Sequence, residues 1–339
     1  MSEQQSALKK DKKRTFRFGL ILFGVLLVFV MSIMMGRYPK PYFTSPATFI
    51  NDDLALNLAI NLRLPRILMA FIMGMVLSAS GTVLQMVFRN PLVDSGFLGV
   101  SQGAGFGASL AIVFLGANPF YIQGLAAGFA FLGLGTSYFI ARRFRFGDWV
   151  LRLILAGVAI SAFYSAGSGI IKYLADPLTE LPDITFWLMG GLWAITWEDI
   201  WQILPVVIPA ITVIYLMRWR LNLLSLRDET AFSLGAVPSR ERIILLIAAV
   251  SATAVIVSKA GLVGWIGLIM PHAARLIFGS DAQRVLPGSM LLGGIFTLLC
   301  DDVARTLLSG EIPLGIITSL IGTMIFLAIL MRTKATFTK

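Results

Sequence analysis

Long apolar runs separated by short polar intervals dominate the 339-residue chain. A membrane-spanning helix needs about 20 largely apolar residues. Runs of that kind lie near 18–36, 66–88, 97–116, 120–141, 150–174, 200–217, 243–259, 261–278, 285–308 and 312–331. The pattern predicts an all-α polytopic membrane protein of about ten transmembrane helices, one domain over residues 1–339 with a tail at 1–17. The first run follows a basic block and has no small-residue cleavage site before Arg37. It is therefore read as a retained span and not as a removable signal. Two turns are expected between spans, at 88–99 around Asn90-Pro91 and at 269–281 around Pro271, because proline breaks or kinks a helix.

The longest polar interval, Asn222 to Arg242, lies between the sixth and seventh predicted helices and carries helix punctuation of its own. Ser225 stands three residues before Asp228, the spacing of a capping box, and Glu229 adds negative charge at the positive end of the dipole. Leu226, Ala231, Phe232 and Leu234 make a short apolar face, Gly235 offers a left-handed stop, and Pro238 is expected to keep the helix from resuming. Both a loop folded onto its own protein and a helix offered to a partner fit this pattern. A second interval, 176–199, is acidic and holds Pro177, Pro182, Trp187, Trp193 and Trp197. It reads as an outer segment with a short interfacial helix or a lipid anchor.

Composition agrees with the pattern: 57% of residues are hydrophobic and 14% charged, against an apolar share of about 45–50% in soluble domains. The formal charge of +10 points away from nucleic acid, because the basic residues sit in short blocks at span ends. Of the 28 Lys and Arg, 21 fall on one side when the N-terminus is cytoplasmic, leaving Arg37, Lys40, Arg63, Arg66, Lys172, Lys259 and Arg305 outside. That split favours an even number of spans, both termini in the cytoplasm and a cytoplasmic 222–242 helix. A single cysteine, Cys300, and a single histidine, His272, exclude an internal disulfide and any metal site built on cysteine or clustered histidine. His272 beside Pro271 reads as a structural hydrogen-bonder, and Asp301 and Asp302 as ionic partners for Arg305. No GxxxxGK[ST] loop is present, so the chain is not itself an ATP-hydrolysing subunit. Nor is there a run of acids in the spans of the kind that carries coupling ions.

Several motifs occur in order: Arg63-Leu64-Pro65-Arg66, Gly81, Gln85, Arg89-Asn90-Pro91-Leu92 and Gly96 to Val100, then Trp187 to Gly191, Leu234-Gly235, Gly264 to Arg275, Asp302 to Arg305, and Glu311 to Thr318. With these the chain resembles, over about residues 60–331, the permease subunits of ATP-binding-cassette importers for iron-siderophore, haem and vitamin B12. Departures are Asp94-Ser95, where the family tends to have a small residue and proline, and Trp265 in place of phenylalanine.

The resemblance implies a homodimer of ten-helix subunits around one pathway in a prokaryotic cytoplasmic membrane. It implies two ATPase subunits below, which carry the ATP and Mg, an extracytoplasmic binding protein above, and no cofactor or metal on this chain. On it Ser225, Asp228, Glu229, Ala231, Leu234 and Gly235 become the ATPase-coupling loop. Arg63, Arg66 and Arg305 become docking residues for the binding protein, where their alternative is to anchor helix ends at lipid headgroups. Ser78, Thr82, Gln85, Ser161, Tyr164, Ser165 and Ser168 are expected to line the pathway, and Asp148, Trp149 and Val150 to form its gate. Ferric siderophore is the first expectation for the cargo, with haem, cobalamin or an oxyanion such as molybdate as alternatives. A self-sufficient channel or ion-coupled carrier is the reading from another class.

Overall fold

The computed structural model describes residues 3–38, 42–94 and 96–337, with side chains described between Phe16 and Met331. Lys40, Ser95 and the side chains of both charged ends lie outside the described residues, so parts of the charge count and the departure at Ser95 fall there. Helix α1 (Glu3–Met34) runs into a small antiparallel ladder of β1 (Met35–Gly36) with β2 (Tyr42–Phe43). Then come α2 (Pro46–Asn51), α3 (Asp53–Leu58) and a π turn (Ala59–Arg63). The remaining elements are α4 (Leu64–Val87), α5 (Val100–Leu115), α6 (Pro119–Arg143), α7 (Trp149–Leu174), α8 (Glu180–Met189), α9 (Trp197–Leu216), α10 (Arg218–Leu224), α11 (Asp228–Ser233), α12 (Pro238–Ala260), α13 (Ile266–Phe278), α14 (Ala282–Thr306) and α15 (Leu314–Phe337).

Each apolar run coincides with a helix. Eight helical stretches among the described residues are long and apolar enough to cross a membrane, while α5 and α13 have 16 and 13 residues. At a rise of ~1.5 Å per residue neither short helix alone covers a ~30 Å hydrocarbon core. Non-helical backbone at such depth must be satisfied by protein. The Gly191 N–H donates to the Ala260 carbonyl and the Leu314 N–H to the Gly190 carbonyl, both at 2.8 Å, so the breaks after α8, after α12 and before α15 close on one another.

The bundle is organised around α4, whose most apolar stretch is 78% buried, and α14, at 72%, against 11% for the first span. Small residues make the close approach possible. A Cβ on Gly74 would lie 2.1 Å from the Gly293 carbonyl oxygen of α14, and one on Gly81 would lie 1.9 Å from that of Gly267 in α13.

The turn at 88–99 is present, but the one expected at 269–281 is not: residues 266–278 are helical and only 279–281 break the chain. Pro271 lacks the N–H that would meet the Gly267 carbonyl four residues earlier. Gln85 of α4 replaces it, its Nε2 donating to the carbonyls of Gly267 at 3.2 Å and Leu268 at 3.1 Å. The helix thus passes through its proline because a neighbour supplies the missing donor. Pro238 also differs from expectation, since it opens α12 at the first helical position, where a missing N–H costs nothing.

Candidate functional site

The 222–242 segment holds the end of α10, the whole of α11 and the first turn of α12. Ser225 caps nothing at an N-terminus: it closes α10, and its hydroxyl donates to the Asn222 carbonyl at 2.7 Å. Asn222, in turn, donates to Asp281 and accepts from the Ala282 N–H, both at 2.8 Å, and so fastens α10 to the α13–α14 turn. Helix α11 begins at Asp228 with no side-chain cap. The expected capping box is absent, since Arg227 holds the N-cap position and Ser225 ends α10 two residues earlier, and Asp228 is engaged elsewhere. Arg242 of α12 meets its carboxylate with two N–H groups at 2.7 and 2.8 Å, and Arg89, after α4, adds a third bond at 2.8 Å. The bonds from Arg242, opposed by desolvation and reinforced by the charges of Arg242 and Arg89, hold the Asp228 carboxyl below its ordinary pKa.

The stop after α11 is as expected. Gly235 has φ +83°, the Gly235 N–H reaches the Phe232 carbonyl at 2.9 Å and the Ala236 N–H reaches that of Ala231 at 3.0 Å. This pair of bonds is the Schellman closure. Ala231 alone of the short apolar face is buried, and Glu229 is exposed. Leu226, Phe232, Leu234 and Val237 stand 39, 70, 55 and 49% exposed.

The gate candidates adjoin this cluster. Asp148 caps α7, accepting from the Leu151 N–H at 2.8 Å. Trp149 stacks beside Phe88 with ring centres 6.2 Å apart and lies 5.5 Å beneath the Arg242 guanidinium. Val150, largely buried, joins them in lining a cavity of about 310 Å³ with Arg89, Asp228 and Arg242. Sequence reasoning singled out Asp228 and the 148–150 turn separately, and the structure brings them together through Arg242, a residue it did not single out.

At the other end Arg63, Arg66 and Arg305 are only 8, 9 and 7% exposed. Arg66 meets Asp301 at 2.9–3.1 Å and Glu311 at 2.8 Å. Arg305 pairs with Asp302, as its spacing predicted, and with the Ser32 carbonyl, while the Ser32 hydroxyl donates to Asp302 at 2.6 Å. Arg63 donates to the carbonyls of Ile33 and Tyr38 and to the Thr44 hydroxyl at 2.9–3.1 Å. These bonds within the chain tie α1, α4 and α14 together, and the Nε of Arg305 is left buried without a hydrogen-bond partner.

The pathway set divides. Ser78, Thr82 and Gln85 are buried within the chain. Thr82 bonds Ser289 at 2.9 Å, Ser78 packs on Gly293, and Gln85 caps the α13 carbonyls. Helix α7 buries Tyr164, among the rings of Phe106 and Phe129, and Ser168, but leaves Ser161 half-buried and Ser165 exposed. His272 accepts its structural role, with Nδ1 2.9 Å from the Leu268 carbonyl.

A further cluster escaped the sequence reading, which counted Lys259 only as an outer charge. Its ammonium is 6% exposed and donates to Asp199 at 2.7 Å and to Gln123 and Gln202 at 2.5 Å. The available signal was a lysine at the outer end of an apolar helix, against the prevailing charge bias.

Spans packed through small residues, ion pairs buried at one end and a short polar helix with exposed apolar side chains at the other define a polytopic α-helical membrane protein. The chain belongs to the FecCD transport family, which matches residues 24–332. A Helicobacter pylori protein assigned as an iron chelatin transport system permease is 40% identical, the alignment covering 84% of this chain and 87% of that one. The molybdate import system permease protein MolB of Haemophilus influenzae is 36% identical over 96% of this chain and 98% of its own. An inward-facing solved structure assigned to a metal-chelate type ABC transporter superposes with a TM-score of 0.85 at 34% identity, covering 93% of this chain and 99% of that one.

Proposed function

We propose that this chain is the membrane permease subunit of an ATP-binding-cassette importer and that its cargo is a ferric siderophore. Two copies form the pathway in a prokaryotic cytoplasmic membrane, with both termini in the cytoplasm. Two separate ATPase subunits, loaded with ATP and Mg, engage the face that carries α11, and a binding protein delivers cargo to the opposite face, which the Arg66–Asp301 network stiffens. The observation that carries the reading is α11 itself. Phe232 and Leu234, 70 and 55% exposed on a polar segment, form an apolar knob that water disfavours and a partner's groove would cover. Asp228 ties that knob to Arg89 and Arg242, and through Arg242 to Trp149. A push on α11 therefore reaches the start of α7 through direct contacts. Ferric siderophore is put first because permeases for iron chelates recur among the relatives.

The test is uptake of a radiolabelled ferric siderophore into vesicles holding this chain, its ATPase and its binding protein. Uptake that requires both partners and ATP is the expected result. Uptake by the chain alone, driven by an ion gradient and indifferent to ATP, would overturn the importer reading. Uptake of haem, cobalamin or molybdate in place of the siderophore would overturn only the cargo.

A further inference from the structure

A cavity of about 540 Å³ opens where the end of α6, the start of α7 and the start of α12 meet. Tyr138, Arg142, Trp149, Arg152, Ser239 and Arg242 line it, so three guanidiniums share the space with one carboxylate, that of Asp228. Arg242 already takes that carboxylate with two bonds. Among the described residues Arg142 has only the Tyr138 ring, 5.9 Å away, and Arg152 donates only to backbone, at Phe144 and Asp148. The Arg242 side chain is 2% exposed and its Nε is buried without a hydrogen-bond partner. Three guanidiniums against one carboxylate leave the cavity with a surplus of positive charge, carried by Arg142 and Arg152, that an anion would neutralise.

The surroundings decide which anion. Phe139 and Leu151, next to lining residues along the chain, are 59 and 44% exposed, and Phe146, in the turn between α6 and α7, is 53% exposed. The cavity lies at the ends of three helices long enough to span a bilayer, with Tyr138 and Trp149 in its wall. Aromatic side chains favour the headgroup level, and basic pockets between helix ends take lipid phosphates. We infer that this cavity binds the phosphate of an anionic phospholipid, with Arg142 and Arg152 holding its oxygens, Arg242 behind them and the acyl chains lying along the exposed apolar side chains.

Native mass spectrometry of the full-length chain, released from detergent with dioleoyl phosphatidylglycerol or the phosphatidylcholine of the same chains, reads the site directly. Phosphatidylglycerol should remain bound under activation that strips phosphatidylcholine. At the strength expected per basic residue at a membrane surface, the R142Q/R152Q double variant should bind phosphatidylglycerol roughly 30-fold more weakly. The single variant R142Q, which removes no hydrogen bond, should lose about fivefold, and the R142K/R152K variant should recover most of the binding. Equal retention of the two lipids, or wild-type retention by both Gln variants, would overturn the assignment. Competition by millimolar inorganic phosphate as effective as that by the lipid would move the source from membrane to solution and overturn it equally.

Discussion

Asp228→Asn separates the two arginines that hold α11. The Arg242 side chain is 2% exposed and Asp228 is its only carboxylate among the described residues, whereas the Asp228 side chain is 53% exposed. Breaking a fully buried pair costs about 3–5 kcal/mol, and solvent access to one partner reduces this to about 2 kcal/mol. The population with α11 detached should then rise roughly 30-fold. Asparagine keeps the shape and one acceptor, so the loss falls on the charge and on the second bond from Arg242. Hydrogen exchange reads the effect: the N–H groups of Leu234, Gly235 and Ala236, bonded within the α11 closure, should exchange roughly 30-fold faster. The α12 amides beyond Leu245 should be unaffected. Arg89→Gln is the control, because Asp228 keeps both bonds from Arg242, and a half-exposed pair is worth about 0.5 kcal/mol. The pH dependence follows from the sign of the shift. A carboxyl held below its ordinary value of 3.8 contributes stability that is complete above that value and is lost as pH falls through the folded pKa. Exchange in this segment, corrected for intrinsic rate, should therefore be flat across neutral pH. Wild-type exchange in D228N, or equal acceleration in D228N and R89Q, would refute the account of Arg242 as the principal tie.

Gly235→Val should weaken the α11 stop by about 1–2 kcal/mol. Nothing lies within 4 Å of the site of its Cβ, so Gly235→Asn should cost much less, and equal effects on exchange at Ala236 would exclude backbone strain as the cause. Arg66→Gln leaves Asp301, 1% exposed, with Arg305 at 3.8 Å as its remaining cation, and should lower stability by about 3–5 kcal/mol in denaturation followed by tryptophan fluorescence. Unchanged stability with lost binding-protein docking would refute this structural role and favour a docking role for Arg66. Gln85→Leu should cost about 1–3 kcal/mol by stranding the Gly267 and Leu268 carbonyls, read by the same melt. A cysteine at Ser165, exposed on α7, should react with a thiol reagent, and one at Ser78, fully buried, should not. Cys300, itself 1% exposed, leaves a low background, and equal labelling would show that the α4 face opens after all.

Helix positions were legible because membrane spans are a local property: twenty apolar residues announce themselves whatever they pack against. The Schellman closure at Gly235 was legible for the same reason, since a left-handed stop is written in one residue. Misread features depend on partners distant in sequence. Ser225 and Asp228 have capping spacing, yet Asp228 serves Arg242 and Arg89, and no local pattern records a choice between a backbone N–H and two guanidiniums. Gln85 looked like pore lining because it is polar on an apolar helix. Its function is set by Pro271, 186 positions away, whose missing N–H leaves a carbonyl to be satisfied. The charge rule that singled out the outer arginines says nothing of Glu311, which joins Asp301 on Arg66, or of the neutral acceptors that hold Arg63.

These misreadings share a direction, and it bears on how the molecule divides its work. Ionic groups at the Arg66–Asp301 and Arg305–Asp302 end are nearly all dry, 1–11% exposed apart from Glu311 at 41%. Pairs of that kind are costly to break, so α1, α4 and α14 move as one piece there. At the α11 end the shared carboxylate is half in water and the Arg89 side chain is 30% exposed, where pairs exchange at a cost of about 1 kcal/mol. A perturbation reaching both ends is therefore absorbed at α11, where the α11–α12–α7 contacts re-pair first. A double-mutant cycle makes the contrast measurable. Coupling between Arg66 and Asp301 should exceed that between Arg89 and Asp228 severalfold, and equal couplings would mean that burial does not set which end yields.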